Sequence, residues 1–208
     1  MEFMKILINL MLQRLACTNK SYADTKNKAG SRCAFINRYN LTYTTKDNKK
    51  KVYEMISRNR NIDSEDQIRN PKTDGVVIIM TDEDDEHILL NREFRMAVDD
   101  YVYNFPAGLV DAGETPEQAA ARELREETGL ELVKVEDKLI NSYSAIGFSN
   151  ETNVVVIGKA KGRFAPSSST LEEIQAAWYT RQQIRELLKN QPFAARSQAY
   201  CYMWSKQK

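Results

Sequence analysis

Three glutamates, Glu123, Glu126 and Glu127, stand at i, i+3 and i+4 in the stretch Thr115-Pro-Glu-Gln-Ala-Ala-Ala-Arg-Glu-Leu-Arg-Glu-Glu-Thr-Gly129. On a helix they share one face about 100° wide. Like charges so placed repel, by roughly a few tenths of a kcal/mol per pair. They also fall near the helix C-terminus, where the macrodipole disfavours negative charge. Arg122 and Arg125 project from other angles and relieve only part of this. A cluster unfavourable on both counts points to an external cation. Hard divalent ions such as Mg²⁺ take carboxylate and carbonyl oxygens and share them with phosphates. A solvated charged face is the other reading of the helix taken alone.

The elements that position the cluster lie in the same stretch. Thr115 is an N-cap, Pro116 suits the first helical position, and Gln118 completes a capping box. Gly129 ends the helix after about 13 residues in the left-handed conformation that glycine adopts readily. A glycine-bearing loop from Gly108 leads in. The spacing is Gly108, five residues, Glu114, seven residues, Arg122-Glu123-Leu124, one residue, Glu126-Glu127, one residue, Gly129-Leu130. Every fixed position of the Nudix box is matched, and the chain resembles the Nudix hydrolases. Phe105-Pro-Ala-Gly-Leu109 is similar to the lead-in of their ADP-ribose pyrophosphatase branch.

The resemblance implies an α/β protein, an α/β/α sandwich on a mixed sheet. It implies hydrolysis of the diphosphate bond in a nucleoside diphosphate derivative, ADP-ribose or a nucleotide sugar first. The products would be a nucleoside monophosphate and a phosphorylated second group. Carried over residue by residue, Glu123, Glu126 and Glu127, with the Ala107 carbonyl, become ligands of Mg²⁺ or Mn²⁺. Such ions neutralise the diphosphate and bring the pKa of a water toward neutrality. Glu126, Glu127, Glu172 and Arg122 form the implied catalytic set, in which a glutamate accepts the proton and Arg122 orients the box carboxylates with Glu114. Gly108 permits a tight loop, Glu114 supports its geometry, and Gly129 closes the helix. The proton acceptor stays open between a box glutamate and Glu172 or Glu173 on a later Ser-rich loop. Glu172 is preferred because Glu172-Glu173-Ile174 is similar to the family's Glu-Asp-Ile.

At 208 residues and a net charge of +1, the chain suits one ordinary domain with additions. It carries no electrostatic footprint for nucleic acid or an acidic membrane. Three cysteines without Cys-x-x-Cys spacing argue against a zinc site or a disulfide framework and suit the reducing cytoplasm. The sole histidine, His87, lies in an apolar run with no accompanying nucleophile signal, against a Ser-His-Asp mechanism. Residues 1–38 read as an extension, a short amphipathic helix or unstructured, with residues 21–31 as a linker. Gln13 and Arg14 interrupt the apolar stretch where a secretion signal's cleavage region would begin. No stretch approaches the roughly 18 apolar residues needed to span a bilayer. Residues 39–72 read as a β-hairpin (Leu41–Thr45 and Lys51–Ile56) and a connection, and 73–208 as the hydrolase domain. A lone hairpin is marginal, so it should pack on the domain or on a second chain. The resemblance implies that this segment builds a homodimer.

Gly75–Met80 is apolar throughout, as a central strand covered on both faces should be. Thr81–Glu86 reads as a solvated hairpin tip, and His87–Arg95 and Tyr101–Phe105 as strands. Arg92 and Arg95, read as alternating off one strand face around Phe94, are candidate diphosphate contacts; the resemblance favours Arg95. Leu139–Gly147 and Asn153–Gly158 read as strands. Between them Gly147-Phe-Ser-Asn-Glu151 is similar to the family's Gly-Phe-Ser-Asp-Glu, which makes Glu151 a substrate-binding candidate. Ser144-Ala145-Ile-Gly147 departs from the Ser-Pro-Gly of the ADP-ribose branch, and the substrate stays open. A strand through Ala176–Tyr179 meets a helix capped by Thr180 and Gln183, with Ile184, Leu187 and Leu188 as its apolar stripe. Ala194–Trp204 reads as a last helix, with Tyr200, Met203 and Trp204 in the core. Two other readings stand: a nucleoside-triphosphate pyrophosphatase, and a non-catalytic ligand sensor on the same fold, against which the intact box argues.

Overall fold

The computed structural model describes residues 21–24, 35–70, 72–168 and 173–207. Strands β1 (Ser21–Asp24), β2 (Asn37–Thr44) and β3 (Lys50–Ser57) precede a short helix α1 (Glu65–Ile68). Then come β4 (Gly75–Thr81), β5 (His87–Arg95), β6 (Asp100–Asn104), β7 (Ala107–Leu109) and helix α2 (Pro116–Thr128). Strands β8 (Glu131–Tyr143), β9 (Thr152–Lys161) and β10 (Ile174–Thr180) lead to helices α3 (Arg181–Asn190) and α4 (Ala195–Lys206). The described residues form two compact units. One holds those up to Lys72 together with Tyr143–Thr152, the other Thr73–Ser142 and Asn153–Lys208.

The first unit is built on an antiparallel sheet in the order β1-β2-β3. The β2–β3 turn is tied by the Thr45 hydroxyl, which donates to Asp47 at 2.6 Å and accepts from the Lys49 amide at 3.0 Å. Asn48 takes the left-handed conformation there, φ 58°, which asparagine tolerates. Tyr39, Leu41, Met55 and Ile62 make a small core of their own. The expected linker is corrected at its start: Ser21–Asp24 pairs with Tyr39–Thr42, filling the open hydrogen-bonding edge of β2. In the 143–152 segment, the expected strand through Gly147 stops at Tyr143. The Ser149 amide turns back to the Ala145 carbonyl at 2.8 Å, which ends the extended run. Tyr53 donates its hydroxyl to the Gly147 carbonyl, and the Ile56 amide reaches Phe148 at 2.8 Å.

The second unit is the α/β/α sandwich. Its sheet runs β10-β5-β4-β9-β8, with β6 beside β5 and β7 beside β4. Strand β4 lies parallel to β9 and antiparallel to β5 and β7, so the sheet is mixed. The two-residue alternation of β4 feeds two cores. Val76, Ile78 and Met80 turn to α2 and meet Ala119, Ala120 and Leu124. Val77 and Ile79 turn the other way, to Ile184 of α3 and Cys201 and Trp204 of α4. Thr180 and Gln183 cap α3 reciprocally. Met203, expected in the core, is 65% exposed, because the α4 face that packs inward carries Ser197, Cys201 and Trp204 instead. The Thr81–Glu86 tip is held by Asp82, which accepts from the Glu86 and His87 amides and lies 2.6 Å from His87 Nδ1.

Candidate functional site

Helix α2 starts and ends on its own chemistry. The Gln118 amide donates to the Thr115 hydroxyl at 3.3 Å, and the Thr115 amide donates to Gln118 Oε1 at 2.8 Å. Gly129 closes it at φ 79°, its amide on the Arg125 carbonyl. The chain beyond β9 then crosses the C-terminal end. Ala165 donates to the Thr128 carbonyl at 3.0 Å, and Ser168 to the Glu126 carbonyl at 2.9 Å. These amides satisfy carbonyls that a helix end leaves open. The loop expected to carry Glu172 therefore sets out from the box helix, though Glu172 itself lies outside the described residues.

Arg122 is the hub of the cluster. Its Nε and Nη2 form a fork on Glu114 at 2.9 and 2.8 Å, and Nη2 also reaches the Leu109 carbonyl at 2.9 Å. Its Nη1 donates to Glu123 Oε1 at 2.7 Å and to Glu126 Oε2 at 3.3 Å. A guanidinium has five N–H donors, and all five are engaged. Its acidity falls accordingly, first through the hydrogen bonds it donates to Glu114 and against the desolvation that opposes them. The Glu114 carboxyl is held down at about 2, by Arg122 first and by the Asp111 amide next. That amide bond, 3.0 Å long, fixes the loop of residues 111–114 in front of α2.

Gly108 owes its identity to a close approach. It sits in β7 opposite Val76, and a Cβ there would lie 2.0 Å from Glu123 Cδ. The expectation that Gly108 eases a tight loop is thus corrected: the carboxylate of Glu123 occupies the space a side chain would need. It rests against the β7 backbone at Gly108. Glu127 behaves differently. It is 7% exposed and accepts from Asn91 Nδ2 of β5 at 2.6 Å.

Among the described residues no three acidic, histidine or cysteine side chains are grouped as metal ligands. Arg122 lies between Glu123 and Glu126, and Glu127 is engaged with Asn91. The donor set nonetheless suits a hard divalent ion. The two carboxylates already converge on one positive centre, Nη1 of Arg122, and Glu123 lies against backbone where no Cβ intrudes. Magnesium is commonly held by one or two carboxylates and completed by water and substrate phosphate.

The other candidates divide between places. Arg95 and Glu93 form an ion pair at 2.9 Å. Arg92 instead lies 3.9 Å over the Tyr101 ring, which also meets Phe94 edge-on. The expectation that both arginines leave one strand face is corrected, since three positions along a strand reverse the face. Arg95 shares its face with Asn91 and Leu89, the face α2 covers. Glu173 accepts from the Tyr101 hydroxyl at 2.6 Å, with the Arg92 group. Glu151 belongs to the first unit, where it pairs with Arg58 at 2.6 Å and Ser144 at 2.9 Å. Sequence reasoning missed Asn91. The available signal was a polar residue two positions after Leu89, on a face that should be apolar.

The chain matches the NUDIX domain family over residues 71–201. It is 35% identical over 80 residues to an ADP-ribose pyrophosphatase of Bacillus subtilis, covering 38% of this chain and 43% of that protein. It is 39% identical over 85 residues to an ADP-ribose pyrophosphatase of Saccharomyces cerevisiae, covering 40% and 36%. The aligned stretch thus spans less than half the length of these curated relatives. A crystal structure of an ADP compounds hydrolase superposes with a TM-score of 0.65 at 18% identity, covering 90% of this chain and 93% of the other. At that identity the likeness is one of fold. With the family match covering more than half its length and the box complete, this chain belongs to the NUDIX domain family.

Proposed function

We propose that the protein is a divalent-metal-dependent pyrophosphohydrolase. It would split the diphosphate of ADP-ribose, or of a nucleotide sugar, into a nucleoside monophosphate and a phosphorylated second group. The observation that carries this reading is the convergence of Glu123 and Glu126 on one cationic centre, with Glu123 laid on the backbone at Gly108. The names of the curated relatives favour ADP-ribose. Glu123 and Glu126, with Glu127 and the Ala107 carbonyl, are the proposed holders of Mg²⁺ or Mn²⁺. When bound, such an ion offsets the diphosphate charge and acidifies water at neutral pH. Arg122 keeps Glu123 and Glu126 in register and spends its remaining donors on Glu114 and Leu109, so it acts through the carboxylates. Arg95 is the arginine assigned to a phosphate oxygen. The proton goes to a glutamate, a box residue such as Glu127 or, on the later loop, Glu172 ahead of Glu173; Glu127 and Glu173 each accept one hydrogen bond, from Asn91 and Tyr101.

A panel of ADP-ribose, ADP-glucose, GDP-mannose, NADH, diadenosine polyphosphates and deoxynucleoside triphosphates, with Mg²⁺ and with Mn²⁺, tests the reading. AMP and ribose 5-phosphate from ADP-ribose are expected, and Glu126→Gln should abolish turnover. Inorganic pyrophosphate released from a triphosphate as the only activity would replace it with the triphosphate reading. No metal-dependent turnover of any member would refute it. We further place the protein in the cytoplasm as a homodimer. The dimer is supported by apolar side chains left exposed in the first unit, Phe35, Val52, Ile146 and Phe148. Light scattering after gel filtration should give twice the 23.9 kDa chain mass.

A further inference from the structure

Asn91 interrupts an apolar stretch of β5 at a position 1% exposed. It turns to the same side of the strand as Leu89, which lies in the core beneath α2. Its Nδ2 donates to Glu127 Oε2 at 2.6 Å, the one side-chain hydrogen bond it makes among the described residues. A carboxylate only accepts, so the amide must present its nitrogen and turn Oδ1 away. That oxygen is buried and meets no donor among the described residues. A buried carbonyl without a donor is unfavourable. Leucine, of similar size, would fill the position without that defect. The amide therefore sits here against the preference of the core, and what it does for the fold is confined to Glu127.

We propose that Asn91 is a positioning residue for Glu127. Its N–H fixes the carboxylate rotamer on the inner side of α2, so that the plane of Glu127 is set before a cation or a diphosphate arrives. The inference rests on the proposed metal-dependent hydrolysis. Groups that orient a metal ligand are worth roughly 10- to 100-fold in metal affinity. A residue that merely fills the core would move stability and leave metal affinity alone.

Calorimetric titration of Mn²⁺ into the full chain separates the two. Wild type, Asn91→Leu, Glu127→Gln and the double variant are compared, alongside thermal unfolding without metal and kinetics on ADP-ribose. Asn91→Leu should bind Mn²⁺ about 10-fold more weakly and lose kcat by a similar factor, with KM nearly unchanged. On the Glu127→Gln background the same substitution should change Mn²⁺ affinity by less than about 2-fold, because the residue acts through Glu127. Asn91→Asp keeps the shape but sets an acceptor against Glu127, and should fall further than Asn91→Leu; it also serves if the leucine variant does not fold. Wild-type affinity in both variants, or an equal loss with and without the Glu127 carboxylate, would overturn the positioning role. A wild type that neither binds Mn²⁺ nor hydrolyses a diphosphate overturns the function itself, a result distinct from an active wild type beside an unaffected Asn91→Leu.

Discussion

Gly108→Ala should separate activity from stability. The new Cβ would lie 2.0 Å from Glu123 Cδ and 2.1 and 2.4 Å from its oxygens, whereas ordinary contact begins near 3.4 Å. One of the two must retreat by about 1.4 Å. The backbone of β7 is held by its pairing with β4, and α2 is pinned to the sheet by Leu124, which is fully buried. The Glu123 side chain is the flexible member and yields. Its partner Arg122 Nη1, now at 2.7 Å, follows it or loses it. Because a side-chain end moves while the core stays, the cost in stability should stay near 1 kcal/mol. A misplacement of about 1 Å in a catalytic group is worth on the order of 100-fold in rate. The assays are kcat and KM on ADP-ribose with saturating Mg²⁺, and urea unfolding in chelator. Gly147→Ala, whose Cβ meets nothing within 4 Å, is the control and should match wild type in both. A Gly108→Ala enzyme within about 3-fold of wild-type kcat would refute the reasoning, since Glu123 would then tolerate the displacement its proposed role forbids.

Further outcomes follow from the same contacts. Because the Glu114 carboxyl is held down at about 2 against an ordinary 4.5, its contribution to stability is complete above about 4.5 and is lost as pH falls toward 2. The stability difference between wild type and Glu114→Gln should therefore be flat from about pH 7 to 5 and shrink below 4.5; an undiminished difference near pH 3 would count against the Arg122 fork. Thr115→Ala removes the N-cap acceptor of α2 and should cost about 1 kcal/mol in urea unfolding, with no cost expected if the cap were idle. Burial pushes the Cys201 thiol up to about 12. In a Cys17→Ser/Cys33→Ser background it should ignore an aromatic disulfide reagent at about pH 8 until guanidinium is added, and prompt reaction in the folded protein would contradict its burial.

What could be read from the sequence was whatever local chemistry decides. Thr115, Pro116, Gln118 and Gly129 set both ends of α2 without help from elsewhere, and the helix runs Pro116–Thr128. Thr180 and Gln183 did the same for α3. The apolar run of β4 announced a strand covered on both sides, and its two faces do feed two cores. Long-range pairing was less legible. Nothing in Ser21–Asp24 marks it as a strand except the free edge it meets, and β8 starts eight residues before the stretch expected for it. At the site, the box spacing located the glutamates but not their rotamers. The reason for Gly108 depends on where Glu123 lies across the fold, and the engagement of Glu127 depends on Asn91, 36 residues earlier in the chain.

The structure also changes the ground on which a divalent ion is argued. Read alone, α2 carried like charges on one face at the end where the macrodipole disfavours them, with arginines at the wrong angles to help. Both objections are met in part within the chain. Arg122 folds back to reach Glu123 and Glu126, and the amides of Ala165 and Ser168 occupy carbonyls at the C-terminal end. Charge excess by itself is thus a weaker argument than the sequence made it. Geometry is the stronger one. Four carboxylates gather round one guanidinium, Glu114, Glu123 and Glu126 closely and Asp111 at 3.8 Å, at a point where oxygens converge. Glu114 takes two of the five donors as a fork and accounts for the guanidinium's own charge. Glu123 and Glu126 meet at Nη1, and a divalent ion held there would take both carboxylates, with Glu123 lying in the space that Gly108 keeps free of a side chain.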